Sequence, residues 1–212
     1  MIIRKGMISL LALLALCGLR AQDMASVFTA MPNQYIPQLE DAWRKDLVEL
    51  YRSGKEARLK NTMNGYSTLV NLTDDYLCLR TTDRSEVEMK LLPLVNNTFV
   101  VCMATTVEGP VADSRIAFFT TDWASLPTAD LLSLPVGSWY LKEGAEADEL
   151  FPELKAALDM DLFRYRLSAV ENTLSITYTT PLYVENQIKE RLQPFLQAEP
   201  LCLRWQHGHF RQ

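Results

Sequence analysis

Six consecutive residues, Phe99-Val100-Val101-Cys102-Met103-Ala104, carry no charged group and no amide, so an extended strand there puts apolar side chains on both faces. Such a strand needs a packed layer on each side, which places a β-sheet in the interior of the fold.

The preceding residues supply partners for it. Thr68, Val70 and Leu72 alternate with Ser67, Leu69 and Asn71, Asp74-Asp75 offers a turn, and Tyr76 to Thr81 resumes the period of two, which predicts a hairpin. From Glu86 to Leu94 a third run sets Val87, Met89 and Leu91 on one face and Glu88 and Lys90 on the other. Asn96-Asn97 suits a tight turn with positive φ before Phe99. After Gly109-Pro110, Arg115 to Thr121 makes a fifth run. Short strands joined by short turns predict an antiparallel β-meander of about five strands.

Ahead of the strands the period is helical. Between Pro37 and Ser53, Leu39, Trp43, Leu47, Leu50 and Tyr51 recur at steps of three and four. Glu40, Asp41, Arg44, Lys45, Glu49 and Arg52 fill the opposite side, as in an amphipathic helix laid on a core. A shorter helix is expected over Asp23 to Met31, stopped by Pro32. Beyond the meander the pattern predicts an α-β-β-α-β segment. It comprises a helix over Asp148 to Leu158, a hairpin of Phe163 to Ala169 with Leu174 to Thr179, a helix over Pro181 to Leu196, and a last strand from Leu201 to Trp205. In the second helix Val184, Ile188, Leu192 and Phe195 form the buried side, and Glu185 pairs with Lys189 at i,i+4. No repeat or low-complexity linker divides residues 22–212, so the expectation is one α+β domain.

Residues 1–21 read as a secretory signal. Arg4 and Lys5 precede an uncharged run from Met7 to Leu16, too short for the roughly 20 residues that cross a bilayer. Cleavage after Ala21 would leave Gln22 as the new N-terminus of a periplasmic or secreted protein. Cys17 offers the alternative of a lipid anchor, although Leu16 departs from the small residue that a lipobox sets before its cysteine. No later window approaches a transmembrane span. The signal takes Arg4, Lys5 and Arg20 with it and no acid, moving the net charge from −5 to −8. Such a chain repels phosphate backbones, so nucleic acid is not an expected partner.

Chemistry-bearing residues are few. After the signal, only Cys78, Cys102 and Cys202 remain, none in a Cys-x-x-Cys pair. In a meander Cys78 and Cys102 sit two strands apart, about 9.6 Å, beyond the roughly 7 Å that a disulfide spans, so no bridge is expected. The two histidines, His207 and His209, would face the same way in an extended segment and offer two nitrogens to a metal, short of the three or four ligands that zinc takes. Asp74-Asp75, Asp159 with Asp161, and Glu146 with Asp148-Glu149 lie where turns and helix ends want acids. Neither a Gly-x-Ser-x-Gly elbow nor a phosphate-cradling glycine loop occurs, so no catalytic residue and no cofactor is implied. The stretch from Asp122 to Gly144, with Pro127, Pro135 and Gly137, is the candidate functional loop; a short helical turn over Leu131 to Leu134 is expected within it. At its end Trp139-Tyr140 can offer flat faces to a sugar ring or a partner. The same role is open to Trp123 and Trp205, unless these rings close the core.

Asp23-Met24 through Ala30-Met31-Pro32, Leu72-Thr73-Asp74-Asp75, Leu91-Leu92-Pro93-Leu94, and Asp113-Ser114 with Asp122-Trp123 together resemble a family of uncharacterised exported proteins from gut Bacteroidales, a domain of unknown function. The resemblance spans nearly all of residues 22–212 and implies an envelope or secreted setting, with no assigned activity. The expected function is a non-enzymatic binding or assembly module of the cell envelope, its partner an envelope protein or glycan. The alternatives are a metal-dependent or hydrolytic enzyme using His207 and His209, and a glycan-binding protein using Trp139 and Tyr140.

Overall fold

The computed structural model describes residues 23–134 and 139–212. The cleavage and lipidation expectations at Cys17, Ala21 and Gln22 lie outside the described residues. The described residues open with α1 (Met24–Thr29), whose first turn is capped by Asp23: its carboxylate accepts the Ser26 N–H at 2.7 Å. Helix α2 (Asp41–Arg52) follows. It starts four residues later than expected because Ile36 to Gln38 make a turn, closed by the Leu39 N–H on the Ile36 carbonyl at 3.0 Å.

A seven-stranded antiparallel sheet then runs in sequence order: β1 (Arg58–Lys60), β2 (Tyr66–Leu72), β3 (Tyr76–Thr82), β4 (Ser85–Pro93), β5 (Phe99–Glu108), β6 (Ala112–Thr120) and β7 (Ser125–Leu126). Seven strands replace the five expected. The two additions are edge strands of three and two residues, too short to show alternation in the sequence. A hairpin turn with φ of 61° at Asn97 joins β4 to β5. In β5, Val101 and Met103 pack under the helices with Leu47, Leu39 and Phe28. Val100, Cys102 and Ala104 face the other way, against a second sheet. Both faces of the FVVCMA run are thus covered, as its composition requires.

The second sheet holds four antiparallel strands in the order β11-β10-β9-β8: β8 (Phe163–Leu167), β9 (Thr173–Tyr178), β10 (Leu201–Gln206) and β11 (His209–Arg211). Leu167, Leu174, Ile176, Leu203, Trp205 and Phe210 complete the core between the sheets. The layers are therefore helices, large sheet, small sheet, with few helices overall. Cys78 and Cys102 lie on β3 and β5 with β4 between them, and both thiols are free and buried.

The remaining helices are shorter than the periodicity predicts. Within Asp122 to Gly144 the helical turn is α3 (Thr128–Leu131), ahead of the expected Leu131 to Leu134. The helix expected over Asp148 to Leu158 shrinks to α4 (Phe151–Lys155), because only Phe151 and Leu154 of its residues are buried and Pro152 confines it to a first turn. The helix expected over Pro181 to Leu196 breaks into a 3-10 turn at Thr180–Leu182, α5 (Asn186–Leu192) and another 3-10 turn at Gln193–Phe195. Extended backbone at Glu185 separates the first two, and Pro194 has no N–H to continue the ladder. Of its expected apolar side, Leu192 alone is fully buried. Glu185 sits at the N-cap position of α5 without a side-chain capping bond, and it does not pair with Lys189.

Candidate functional site

Segment 140–142 runs antiparallel to 195–197. The Leu141–Leu196 bridge is flanked by the Lys142 N–H on the Phe195 carbonyl and the Gln197 N–H on the Tyr140 carbonyl, both at 2.8 Å. Leu141, Ala145 and Phe151 are buried beneath it with Phe195 packed alongside, a small satellite core beside the main one. Gly144 leads into the 3-10 turn of Ala145–Ala147 with φ of 80°, a conformation that glycine adopts without a Cβ penalty.

Where this satellite meets the end of β9, a cleft of about 470 Å³ opens, within the roughly 300–1,000 Å³ usual for ligand sites. Its aromatic wall is built from Trp139, Tyr140 and Tyr178. Tyr140 stacks on Tyr178 with ring centroids 3.8 Å apart and planes 16° from parallel, while Trp139 stands edge-on to Tyr140 and lies over Phe163 at 5.9 Å. Burial pushes the Tyr178 phenol well above its usual range, so it remains a neutral hydroxyl. Lys142, Lys189, Gln193, Gln197 and Glu199 stand around the wall with exposed side chains. The Lys142 ammonium also donates to the Pro194 carbonyl at 2.9 Å, which fixes one side of the opening.

The structure separates the candidate aromatics cleanly. Trp123 is buried under the helices and donates its indole N–H to the Val27 carbonyl at 3.0 Å. Trp205 is buried between the sheets and donates to the Pro93 carbonyl at 2.8 Å. Both close the core, whereas Trp139 and Tyr140 line the cleft.

The histidines do not adopt the extended, same-facing geometry. His207 and Gly208, with φ of 51° and 79°, are the two central residues of a hairpin turn between β10 and β11, the positive-φ pair that such turns require. His209 lies on β11 and donates through Nδ1 to the Asp130 carbonyl at 2.9 Å. Among the described residues no three His, Cys, Asp or Glu side chains gather in a metal-holding group. The acids at Asp74-Asp75 make a turn, where the Thr73 N–H meets the Tyr76 carbonyl at 2.8 Å.

Periodicity missed a polar seam between the sheets. Glu88 and Lys90, on the charged face of β4, are 4% and 1% exposed because the small sheet covers them. The Glu88 carboxylate accepts the Tyr76 hydroxyl at 2.7 Å and faces Arg166 at 3.5 Å. Lys90 reaches Asp75 at 2.9 Å. Burial, then the Glu88 charge beside it, raises the Tyr76 phenol, and burial with Glu86 nearby pushes the Cys78 thiol up to about 12, so both keep their protons. With Glu88 and Lys90 buried and each paired to a half-exposed partner, Arg166 and Asp75, the seam joins the two layers. The apolar Leu92 at the end of the same β4 face is the sequence sign that this face is covered.

A family model for a protein of unknown function (DUF3256) matches residues 16–210. The chain belongs to this family. A solved structure of a domain of an uncharacterized protein from Porphyromonas gingivalis W83 superposes on it with a TM-score of 0.78, at 31% sequence identity, covering 87% of this chain and 96% of that one. Among curated proteins nothing matches. Among the described residues of this DUF3256 chain no helix is long and apolar enough to cross a membrane.

Proposed function

We propose that this DUF3256 protein is a non-enzymatic binding module of the bacterial cell envelope whose ligand occupies the cleft between β9 and the satellite core. The observation that carries the reading is the aromatic wall of Trp139, Tyr140 and Tyr178, open to solvent and bordered by polar side chains. A few polar groups around an apolar concavity are the usual make-up of a binding site. The basic and apolar leader in residues 1–21 supports export, with release after Ala21 or tethering through Cys17 as the two forms. The enzymatic alternative at His207 and His209 draws no support from the hairpin turn.

Hydroxyl-radical footprinting of the full chain, with and without a soluble extract of the host envelope, tests the reading. Protection of Trp139, Tyr140 and Tyr178, with Trp43 on the helical layer unchanged, is the expected result. Equal oxidation of the cleft residues in both samples overturns it.

A further inference from the structure

Resting on the cleft being the binding site, we infer that its ligand is an oligosaccharide carrying a carboxylate. Three features of the lining lead there.

The first is the wall. Flat aromatic faces carry negative charge above the ring, which attracts the weakly positive C–H groups on one side of a pyranose. Tyr140 stacks on Tyr178 at 3.8 Å and Trp139 is backed by Phe163, so the wall is already packed in the unliganded fold. A preformed surface lowers the ordering cost of association.

The second is the kind of polar group around it. Gln193 and Thr177 each both donate and accept, Gln197 keeps its Oε1 as an acceptor while its Nε2 donates to the Leu141 carbonyl at 3.0 Å, and Glu199 accepts. Hydroxyls also do both, so a sugar can satisfy these groups in turn. An aliphatic chain would cover the same wall and leave them unpaired, at about 1–3 kcal/mol for each one shut off from water.

The third is charge. The protein is acidic, at −5 for the whole chain. Yet the cleft is lined by two lysines, Lys142 and Lys189, against one acid, Glu199, and by no arginine. Ammonium groups act as point charges toward an anion, and two of them against one acid suit a sugar that carries a carboxylate. A uronic or sialic acid matches this lining.

The experiment measures binding to immobilised neutral, N-acetylated, uronic-acid and sialylated oligosaccharides, for the wild type, Trp139→Ala and Lys189→Gln. Acid-bearing sugars should bind about ten-fold more tightly than neutral ones, a difference that shrinks as salt screens the lysines. Trp139→Ala should lose binding to all of them, and Lys189→Gln should bring acidic and neutral sugars close together. Preference for sialylated over uronic-acid sugars, or the reverse, identifies the source of the acid. Equal binding of neutral and acidic sugars overturns the carboxylate. If no oligosaccharide binds while envelope extract still protects Trp139, the ligand is not a carbohydrate and the cleft stands. If extract protects nothing either, both fall. Circular dichroism of the two variants separates loss of binding from loss of fold.

Discussion

The Glu88 carboxylate on the large sheet accepts the backbone N–H of Leu167, on the outer edge of β8, at 3.2 Å. Along the same edge, the N–H groups of Phe163 and Tyr165 reach Asp113 and Ser114 at 3.4 and 3.1 Å. Side chains of the large sheet thus occupy the hydrogen-bonding positions where a further strand would pair, which also shields this edge from intermolecular pairing.

Burial raises the Glu88 carboxyl above its ordinary 4.5, with Tyr76 and Arg166 opposing the shift. The native state therefore holds the Glu88 proton more tightly than the unfolded chain. Its stabilising contribution is full below 4.5 and is lost as pH rises through the native value. Glu88→Gln keeps an acceptor for Leu167 and a partner for Tyr76 but does not titrate. Denaturant midpoints at about pH 4 and pH 7 should show the wild type losing ground to the variant as pH rises. A gain over that range would mean that pairing with Arg166 outweighs burial.

Arg44 was expected on the solvated side of α2 and is instead fully buried. Its guanidinium donates to the Leu39 carbonyl at 2.6 Å, to Asn33 Oδ1 at 2.9 Å and to the Met31 carbonyl. It ties the loop after α1 to α2. Arg44→Ala leaves these acceptors without a partner and should lower unfolding stability by about 3 kcal/mol. Lys45→Ala, one residue on and exposed, should leave the midpoint unchanged. Chemical denaturation of both variants checks the contrast.

The hairpin at His207-Gly208 yields a third expectation. A Cβ on Gly208 would combine φ of 79° with a 3.4 Å approach to Leu94. Gly208→Ala should cost about 1 kcal/mol. Asn-Gly is the favoured pair in such a turn, so His207→Asn should leave stability unchanged or raise it by up to about 0.5 kcal/mol. Thermal melts should also show no zinc-dependent shift in either the wild type or His207→Asn. A zinc stabilisation abolished by that substitution would restore a metal role to the pair.

How much of this was legible depended on whether one element could carry the signal alone. FVVCMA announced a doubly covered strand, and the alternation around Val87, Met89 and Leu91 announced its neighbour, because each strand's faces appear directly in its own residues. Arg44, Glu88 and Lys90 were illegible for the converse reason. A charged residue at the polar phase of a helix or strand looks solvated until another element covers it, and the covering residues, such as Ala169 for Lys90, lie 79 residues away. Trp139-Tyr140 stood out beside a long connection. The decisive partner Tyr178 gave no sign, since stacking across separate segments leaves no local pattern.

The capping of α1 by Asp23 also sets how the molecule is presented. Residues 1–22 join the described chain at the helical layer, while Thr177 and Tyr178 carry the cleft in the small-sheet layer on the far side of the large sheet. With packed sheets about 10 Å apart, two layer spacings put the cleft on the order of 20 Å from that junction. The start of the described chain and the aromatic wall thus lie on opposite sides of the large sheet, so neither end of that axis crowds the other.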